Sequence, residues 1–380
     1  MIPYGRQSIT DADIEAVVTV LKSDYLTQGE AVPAFEQGLA DYCQVPHVVA
    51  CSNGTTALHL ACAALELTPQ DRVWVSAISF VASANCARYC GAQVEFVDVE
   101  PDTGNISVRA LQKKLDLATR QQALPKALIA VHLAGQPCDL KEISALCRDH
   151  GIQLIEDACH ALGARYLDAP IGNCAYSDMT VFSFHPVKPI TTGEGGAVTT
   201  RNEKLAAKLR LYRSHGITRE PDELQQASPG GWYYEQQVLG FNYRLTDLQA
   251  ALGLSQLARL DSMIASRQAL AARYDALLAQ LPLKPLRQEA DRSSGYHLYV
   301  IQVAERDSLF ARLRAAGIGV NVHYIPIPAQ PYYRQLGQDP ANYPGAQRYY
   351  EQAISLPLYP TLSQADQDKV IQTLERELCV

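Results

Sequence analysis

One lysine lies in a loop whose composition restricts its backbone. Lys188 follows the apolar, strand-like stretch 180–184, is flanked by Pro186 and Pro189, and precedes a glycine-rich turn at 193–196. Prolines and glycines fix the path of such a loop. A lysine amine held in this way is suited to form a Schiff base with a carbonyl compound. An ordinary surface-loop lysine is the alternative for Lys188 taken alone, so the interpretation depends on its companions.

A second group of residues is typical of a phosphate site. Gly54, Thr55 and Thr56 lie between a predicted strand at 48–51 and a predicted helix at 57–65. Glycine lets a ligand approach the backbone, and a helix start offers free N–H groups. Simple helix capping would produce a similar sequence. The chain has neither a Walker loop nor a G-x-G-x-x-G motif, which disfavours a nucleoside triphosphate or a dinucleotide as ligand.

An acid and a histidine follow another predicted strand. Asp157 ends the apolar run 152–155, and His160 comes three residues later. A carboxylate there can pair with a protonated ring nitrogen and make a pyridine ring an electron sink, or it can simply cap a turn. His160 can orient that acid or lie over a ring, and a buried structural histidine is the alternative.

Three further residues complete the set. Phe80, just past a strand end, can stack on a flat ring, although a core position is the commoner fate of an aromatic. Ser183 and His185 flank the lysine loop, where Ser183 is suited to a phosphate contact. A phosphate cradle, an acid for a ring nitrogen, an aromatic platform and a Schiff-base lysine together predict pyridoxal 5'-phosphate (PLP) as cofactor.

The composition bounds the remaining possibilities. The chain has 380 residues, of which 47% are hydrophobic and 19% charged, and its net charge is −7. No long run of lysine or arginine favours a nucleic acid or an anionic membrane as partner, and no apolar stretch has spanning length. The start of the sequence is not typical of a signal peptide. The ten cysteines form no zinc pattern, so we expect reduced thiols, no metal and a cytoplasmic protein.

Strands and helices alternate over the first half of the chain, which predicts an α/β fold with a mostly parallel sheet covered by helices. We expect a large cofactor-binding domain at 1–245 with a helical arm at its N-terminus, a helical connection at 246–280, and a small α+β domain at 281–380. Strands are predicted at 48–51, 73–76, 94–97, 127–131, 153–156, 180–184, 197–200, 298–303 and 320–322. Helices are predicted at 11–22, 32–43, 57–65, 81–89, 140–150, 204–212, 245–257, from there to about 280, and at 309–316, 346–354 and 364–378.

In this order the motifs resemble the DegT/StrS family of sugar aminotransferases, a branch of the fold type I PLP-dependent transferases. The resemblance extends from Tyr4 to Pro360. It implies that Lys188 binds PLP, that Asp157 faces the ring nitrogen and that Gly54 to Thr56 bind the phosphate. It also implies that Asn242 reaches the phosphate of a neighbouring subunit, and hence a homodimer with shared active sites.

Within the family, the sequences 26–29 and 185–196 most resemble the transaminases of pseudaminic acid synthesis. This resemblance implies amino transfer from glutamate to C4 of a UDP-linked 4-keto-6-deoxy-N-acetyl-hexosamine, with PLP alternating with its pyridoxamine phosphate form. The residues it implies for substrate or cofactor binding are Tyr4, Asp24, Tyr25, Leu26, Thr27, His185, His323 and Tyr324. One departure is the sequence 327–330, which lacks a histidine usual in that branch.

Three other activities remain open from the sequence. The chain can act on another nucleotide-linked keto sugar. It can be a pyridoxamine-dependent sugar dehydratase, although the dehydratases that it resembles carry histidine in place of Lys188. It can also be a non-catalytic sensor, against which the intact set of Lys188, Asp157 and Gly54 argues.

Overall fold

A seven-stranded sheet forms the centre of the computed structural model, which describes residues 1–378. Its strands come from the first two hundred residues, and smaller sheets lie beside it. The strands of the described chain are β1 (His47–Cys51), β2 (Arg72–Ser76), β3 (Gln93–Val97), β4 (Ala127–Val131), β5 (Gln153–Asp157), β6 (Arg165–Tyr166), β7 (Ala169–Pro170), β8 (Met179–Ser183), β9 (Gly196–Thr200), β10 (Ile217–Thr218), β11 (Glu235–Gln236), β12 (Lys284–Pro285), β13 (Arg292–Ser293), β14 (Tyr299–Gln302) and β15 (Ala353–Leu356).

The order of the central sheet is β1-β9-β8-β5-β4-β2-β3. The pairs from β8 to β3 are parallel, whereas β9 runs antiparallel to both β8 and β1. The mostly parallel sheet predicted from the sequence is therefore confirmed. Because β1, β2, β5 and β8 point the same way, the loops after their carboxyl ends meet at one edge, where ligands of such sheets bind.

Helices cover both faces of this sheet, as predicted. They are α1 (Asp11–Leu21), α2 (Ala31–Cys43), α3 (Gly54–Ala64), α4 (Ala82–Tyr89), α5 (Val108–Gln121), α6 (Leu140–Asp149), α7 (Glu203–Arg213), α8 (Asp247–Leu257), α9 (Leu260–Leu278), α10 (Arg306–Ala315), α11 (Pro331–Gln335), α12 (Pro344–Gln352) and α13 (Gln364–Leu378). Across residues 1–378, none of them is both long enough and apolar enough to span a bilayer.

The helix starts follow from local side chains. The side chains of Asn53, Ser107, Asn202 and Thr246 each accept a hydrogen bond from a backbone N–H in the first turn of α3, α5, α7 and α8. Such caps satisfy donors that have no partner inside the helix. The apolar faces of these helices then pack on the sheet, for example α3 and α4 on one face and α5 and α6 on the other.

The C-terminal part of the chain has its own small core. Strands β12, β14 and β15 form an antiparallel sheet, and α9, α10 and α13 contribute apolar side chains to the cluster beside it. Ile2 joins this cluster, and its N–H donates to the carbonyl of Gly317 at 2.9 Å. The N-terminus of the chain is thereby fixed beside segment 318–324, which leads into the site described below.

Three details of the predicted elements are wrong or missing. Residues 320–322 form no strand, because only Asn321 pairs, through a single bridge to Ser355, before the chain turns toward the cavity. The predicted helix 346–354 ends at Gln352, since the backbone of Ala353 is extended and begins β15. Helix α5, whose apolar residues recur on one face and whose start Ser107 caps, was not predicted.

Helix α1 carries a stripe of apolar residues that faces outward. Asp13 lies on the buried side of this helix. Its carboxylate accepts hydrogen bonds from Thr10, which precedes the helix, and forms an ion pair with Arg259 on the segment between α8 and α9. Ile14, Val18 and Leu21 consequently remain 54%, 36% and 56% exposed in the single chain.

Candidate active site

Most of the predicted site residues line one cavity of about 880 Å³ at the carboxyl edge of the central sheet. Its walls are the loops after β1, β2, β5 and β8, together with segment 321–324. The predicted residues that line it are Tyr4, Gly54, Thr55, Thr56, Phe80, Asp157, His160, Ser183, His185, Lys188, His323 and Tyr324. The fold thus brings together residues from six separate stretches of the sequence.

Lys188 lies on the loop that joins β8 to β9. Phe184 closes this loop, because its N–H donates to Gly195 O at 2.8 Å and its carbonyl accepts the Thr192 N–H at 3.0 Å. Within the loop, the N–H of Lys188 donates to the carbonyl of His185 at 2.9 Å. The prolines and glycines predicted a restricted backbone for this loop, and these hydrogen bonds restrict it further.

Burial lowers the pKa of the Lys188 amine, while the neighbouring Cys159 and Asp157 act in the opposite direction. A lower pKa leaves a larger fraction of the amine unprotonated near neutral pH. Only the unprotonated amine is a nucleophile and a proton acceptor. The site therefore makes Lys188 more reactive than an exposed lysine.

Asp157 is the last residue of β5, and its carboxylate lies on the cavity wall while the residue as a whole is 4% exposed. Its Oδ2 accepts a hydrogen bond from Ser83 Oγ at 2.6 Å, and its Oδ1 accepts one from the Cys159 N–H at 3.2 Å. Both oxygens thus have protein donors. These two bonds hold the carboxylate in one orientation. From the cavity side, it is suited to accept a hydrogen bond from a protonated ring nitrogen.

The start of α3 borders the same cavity. Asn53 caps this helix by accepting the Thr56 N–H at 2.9 Å, while the N–H groups of Gly54 and Thr55 lie at the helix start. A Cβ atom at Gly54 would lie 2.8 Å from Ser183 Cβ, which is too close for any other residue. Helix start and Ser183 hydroxyl therefore converge on one point, an arrangement suited to a phosphate.

A histidine and a tyrosine form the opposite wall. His160 Nε2 lies 3.1 Å from the Tyr324 hydroxyl, and the His160 ring packs 4.3 Å from the ring of His297, centroid to centroid. Burial is the main cause that lowers the pKa of both histidines well below the ordinary value. Both imidazoles are therefore neutral near pH 7 and can donate or accept a hydrogen bond without carrying charge.

His323 is fixed from two sides. Its Nδ1 lies 2.7 Å from Ser355 Oγ and its Nε2 3.3 Å from the Asn321 side-chain nitrogen, and its ring lies 5.3 Å from the ring of Tyr4. Burial, with a smaller effect from Lys188, lowers the pKa of His323 to about 3. This histidine is also neutral near pH 7.

Phe80 and His185 lie at the mouth of the cavity. Phe80 is 58% exposed, and its ring centroid is 6.1 Å from that of Tyr324. The alternative of a core aromatic is thus wrong for Phe80. His185 is exposed as well. Both side chains are free to contact a molecule that enters the cavity.

Five predicted residues lie outside this cavity in the single chain. Asp24, Tyr25, Leu26 and Thr27 form an exposed loop after α1, and Asn242 is exposed on the segment before α8. The loop is nevertheless fixed, because the N–H of Asp247 donates to the carbonyl of Leu26 at 3.0 Å and the Asp247 carboxylate accepts the N–H of Gly29 at 2.6 Å, just after the loop. These five residues remain predicted site residues without a place in the cavity of their own chain.

Sequence reasoning missed several residues of the cavity wall: Asn53, Ser79, Ser83, Cys159, His297 and Asn321. His297 directly precedes the predicted strand at 298–303, and a polar residue at the end of a strand was the available signal. Ser79 and Ser83 carried no such signal, because their role depends on Asp157, more than seventy positions further along the chain.

The arrangement fits one type of cofactor. The start of α3 with Ser183 is suited to a phosphate, Asp157 to a protonated ring nitrogen and the Lys188 amine to a carbonyl carbon, all around a single cavity. With the mostly parallel sheet, these features define a PLP-dependent transferase of fold type I.

The chain belongs to the DegT/DnrJ/EryC1/StrS aminotransferase family, whose model matches residues 7–375. It is therefore a PLP-dependent nucleotide-sugar aminotransferase. It is 38% identical to the spore coat polysaccharide biosynthesis protein SpsC of Bacillus subtilis over 98% of this chain and 96% of the relative. It is 37% identical to the UDP-4-amino-4,6-dideoxy-N-acetyl-beta-L-altrosamine transaminase of Campylobacter jejuni, again over 98% of this chain and 96% of the relative.

Two solved structures share the fold over nearly the whole chain. Helicobacter pylori PseC, an aminotransferase involved in pseudoaminic acid biosynthesis, superposes with a TM-score of 0.91 at 30% identity, covering 99% of both chains. The PLP form of Spr1654 from Streptococcus pneumoniae, described as a sugar aminotransferase, superposes with a TM-score of 0.89 at 32% identity, covering 99% of this chain and 98% of the other. The predicted fold class, enzyme class and cofactor are confirmed.

Proposed function

We propose that this aminotransferase moves an amino group from glutamate to C4 of a UDP-linked 4-keto-6-deoxy-N-acetyl-hexosamine, as a step of pseudaminic acid biosynthesis in the cytoplasm. The observation that carries the proposal is the combination of Lys188, Asp157 and the α3 start in one cavity with a 37% identical transaminase of that sugar class. The Helicobacter pylori neighbour supports the same substrate class.

Each cofactor-binding residue has a separate task in this proposal. When bound, PLP stores the amino group and delocalises the negative charge that forms as a C–H proton leaves. Lys188 binds the cofactor and then carries protons as general base and acid. Asp157 keeps the ring nitrogen protonated. Gly54, Thr55, Thr56 and Ser183 bind the phosphate.

The rest of the cavity is suited to a sugar. The Tyr324 hydroxyl, which His160 holds in place, offers a donor for hydroxyl and keto oxygens, and Tyr4 with His323 adds a polar aromatic wall on the same side. Phe80 at the mouth presents an exposed ring that is suited to cover the flat cofactor. Binding of the nucleotide, which does not react, would place C4 of the sugar over the cofactor.

The charges of the cavity support a shared site between two subunits. Among the residues that line it in the described chain, Lys188 is the only lysine or arginine, and three of the four histidines, His160, His297 and His323, are neutral. A diphosphate and the carboxylates of glutamate are anionic, and a protein of net charge −7 does not attract them overall. A homodimer in which the partner supplies further donors meets this need.

Two exposed surfaces favour such a dimer. The outward stripe of Ile14, Val18 and Leu21 on α1 is apolar, and burial against a second copy would remove it from water. The loop 24–27 is exposed but anchored at Leu26, whose carbonyl accepts the Asp247 N–H, and the exposed Asn242 pairs through a backbone bridge with Ser214. We assign them to the site of the neighbouring subunit, where Asn242 contacts the phosphate and the loop contacts the nucleotide sugar.

The alternative activities are less well supported. A dehydratase of the kind described above would carry histidine in place of Lys188, and the cavity instead presents a partly buried lysine whose pKa is lowered by desolvation. A non-catalytic sensor would not need Lys188 and Asp157 placed around one cavity. Another nucleotide-linked keto sugar is the nearest alternative, since it would use the same cofactor residues.

A substrate panel tests the proposal. The enzyme is first converted to its amino-carrying form with glutamate and freed of excess glutamate. It is then mixed with UDP-linked 4-keto-6-deoxy sugars, the GDP- and dTDP-linked counterparts and the free keto sugar, and each product is identified by mass spectrometry and NMR. We expect a 4-amino product from the UDP-linked N-acetyl sugar at the highest rate. Preferred amination of a sugar on another nucleotide would refute the substrate assignment.

A further inference from the structure

We propose that Ser79 and Ser83 form a hydrogen-bond relay that positions the Asp157 carboxylate against the ring nitrogen of the cofactor. The inference rests on the role proposed above for Asp157. It adds two positioning residues, from the loop after β2 and from the first turn of α4, that act on the reaction only through Asp157.

The direction of each hydrogen bond in the relay follows from the available protons. Ser83 Oγ lies 2.6 Å from Asp157 Oδ2, and an ionised carboxylate can only accept, so Ser83 donates its single hydroxyl proton to Asp157. The Ser79 and Ser83 hydroxyl oxygens are also 2.6 Å apart. Because the Ser83 proton is already used, Ser79 must donate in this second bond. The relay therefore runs from Ser79 through Ser83 to Asp157.

Burial makes this relay effective. Ser79, Ser83 and Asp157 are 4%, 1% and 4% exposed, so water competes little for their hydrogen bonds. A hydroxyl that donates to a second hydroxyl strengthens the donor ability of that second group. The Cys159 N–H binds the other carboxylate oxygen at 3.2 Å. Rotation of the carboxylate would break one of these bonds, so its orientation is fixed.

The same short segment also carries the exposed aromatic ring. Phe80 directly follows Ser79, and the carbonyl of Phe80 accepts the Ser83 N–H at 3.2 Å. The position of the carboxylate and the position of the Phe80 ring are therefore set by one turn. A change in this turn would therefore move both the carboxylate that faces the ring nitrogen and the aromatic side chain suited to stack on the ring.

The test measures the state of the cofactor nitrogen directly. Enzyme is loaded with pyridoxal phosphate labelled with 15N at the ring nitrogen, and the NMR chemical shift of that nucleus reports its protonation and hydrogen bonding. We expect Ser83→Ala to move the signal partway toward that of Asp157→Asn and to slow the glutamate half-reaction about tenfold, the effect of one hydrogen bond to a charged group. Ser79→Ala should change the chemical shift and the rate of the glutamate half-reaction in the same direction, but by a smaller amount.

Three controls separate this role from general structural support. Ser83→Thr retains the hydroxyl and should keep the signal near its wild-type position. Ser144→Ala removes a serine that is 2% exposed on α6, away from the cavity, and should change nothing. In an Asp157→Asn background, Ser83→Ala should add no further shift, because the relay acts through Asp157 alone.

The outcomes distinguish this inference from the proposed function. A shifted signal in Asp157→Asn together with an unchanged signal in Ser83→Ala would overturn the relay and leave the role of Asp157 intact. An additional shift in the double variant would also overturn it. An unchanged signal in Asp157→Asn would overturn both. Should Ser83→Ala not fold, an unchanged signal in Ser79→Ala would overturn the relay by itself.

Discussion

The Nε2 atom of His160 donates a hydrogen bond to the hydroxyl oxygen of Tyr324 over 3.1 Å. The direction follows from the other ring nitrogen, because His160 Nδ1 accepts the backbone N–H of Ala134 at 3.3 Å and is therefore unprotonated. The proton of a neutral imidazole must then reside on Nε2. The hydroxyl proton of Tyr324 is left free to donate into the cavity, where we place the sugar.

Tyr324→Phe should therefore impair one half-reaction selectively. Loss of this donor should slow amination of the keto sugar about tenfold, the effect of roughly one hydrogen bond. The glutamate half-reaction should stay close to the wild-type rate, since the lysine and the acid are unchanged. Stopped-flow absorbance of the two half-reactions, measured separately, provides the comparison. Equal losses in both would contradict the assignment of Tyr324 to the sugar.

Asp157→Asn should leave the fold intact and reduce the rate of both half-reactions by about a hundredfold or more, because an amide does not stabilise a proton on the ring nitrogen. Single-turnover rates, with circular dichroism to verify folding, measure the effect. Asp178→Asn is a suitable control, since that carboxylate binds a backbone N–H away from the cavity. Near-normal turnover of Asp157→Asn would show that the proposed electronic role is wrong.

Mixed dimers test whether sites are shared. Lys188→Ala and Asn242→Ala should each be inactive or nearly so, because each dimer of either variant lacks one required group at both sites. Once subunits have exchanged, a heterodimer holds one site with both residues intact, and we expect it to regain up to about half of the wild-type activity per dimer. Exchange is verified with differently tagged subunits. Heterodimers that remain as inactive as their parents would argue against a shared site.

The buried histidines predict a loss of stability in acid. Burial lowers the pKa of His323 to about 3, against about 6.5 in an unfolded chain. Between these values the unfolded chain holds a proton that the folded chain lacks, so the free energy of unfolding falls as the pH decreases below 6.5. One such group contributes at most about 1.4 kcal/mol per pH unit. His160 and His297 act in the same direction.

Urea denaturation of the cofactor-free protein between pH 7.5 and 5 measures this effect. At a fixed protein concentration, His323→Gln should reduce the dependence of the unfolding free energy on pH relative to the wild type. His185→Gln, at an exposed position, is the control and should leave that dependence unchanged. A His323→Gln variant with the full wild-type pH dependence would show that folding does not lower the pKa of His323.

Local sequence patterns were sufficient to predict the central sheet and the central residues of the site. Asp157 ends one apolar strand and Lys188 lies in the loop after another, and ligands of a parallel sheet bind where the carboxyl ends of its strands meet. Residues that act through distant partners could not be found in this way. Ser83 is recognisable only once α4 is placed beside β5, and His297 only once the C-terminal segment reaches the cavity.

The errors have related causes. The stretch 320–322 has the composition of a strand, but the chain must turn there so that His323 reaches Ser355 and the cavity. The stripe on α1 has the spacing of a core-facing helix, yet Asp13 faces the protein and the stripe faces outward. Tertiary hydrogen bonds decided both cases, and a periodic pattern does not reveal which partner covers an apolar face.

The central claim is that Lys188 binds the cofactor in this cavity. Borohydride reduction of the PLP-loaded enzyme fixes the cofactor on the amine that holds it, and proteolysis with mass spectrometry locates the modified residue. We expect the label on the peptide that contains Lys188, at about one cofactor per chain, and no covalent label in Lys188→Ala even where that variant still binds the cofactor. A label on any other lysine of the wild-type enzyme would contradict the account.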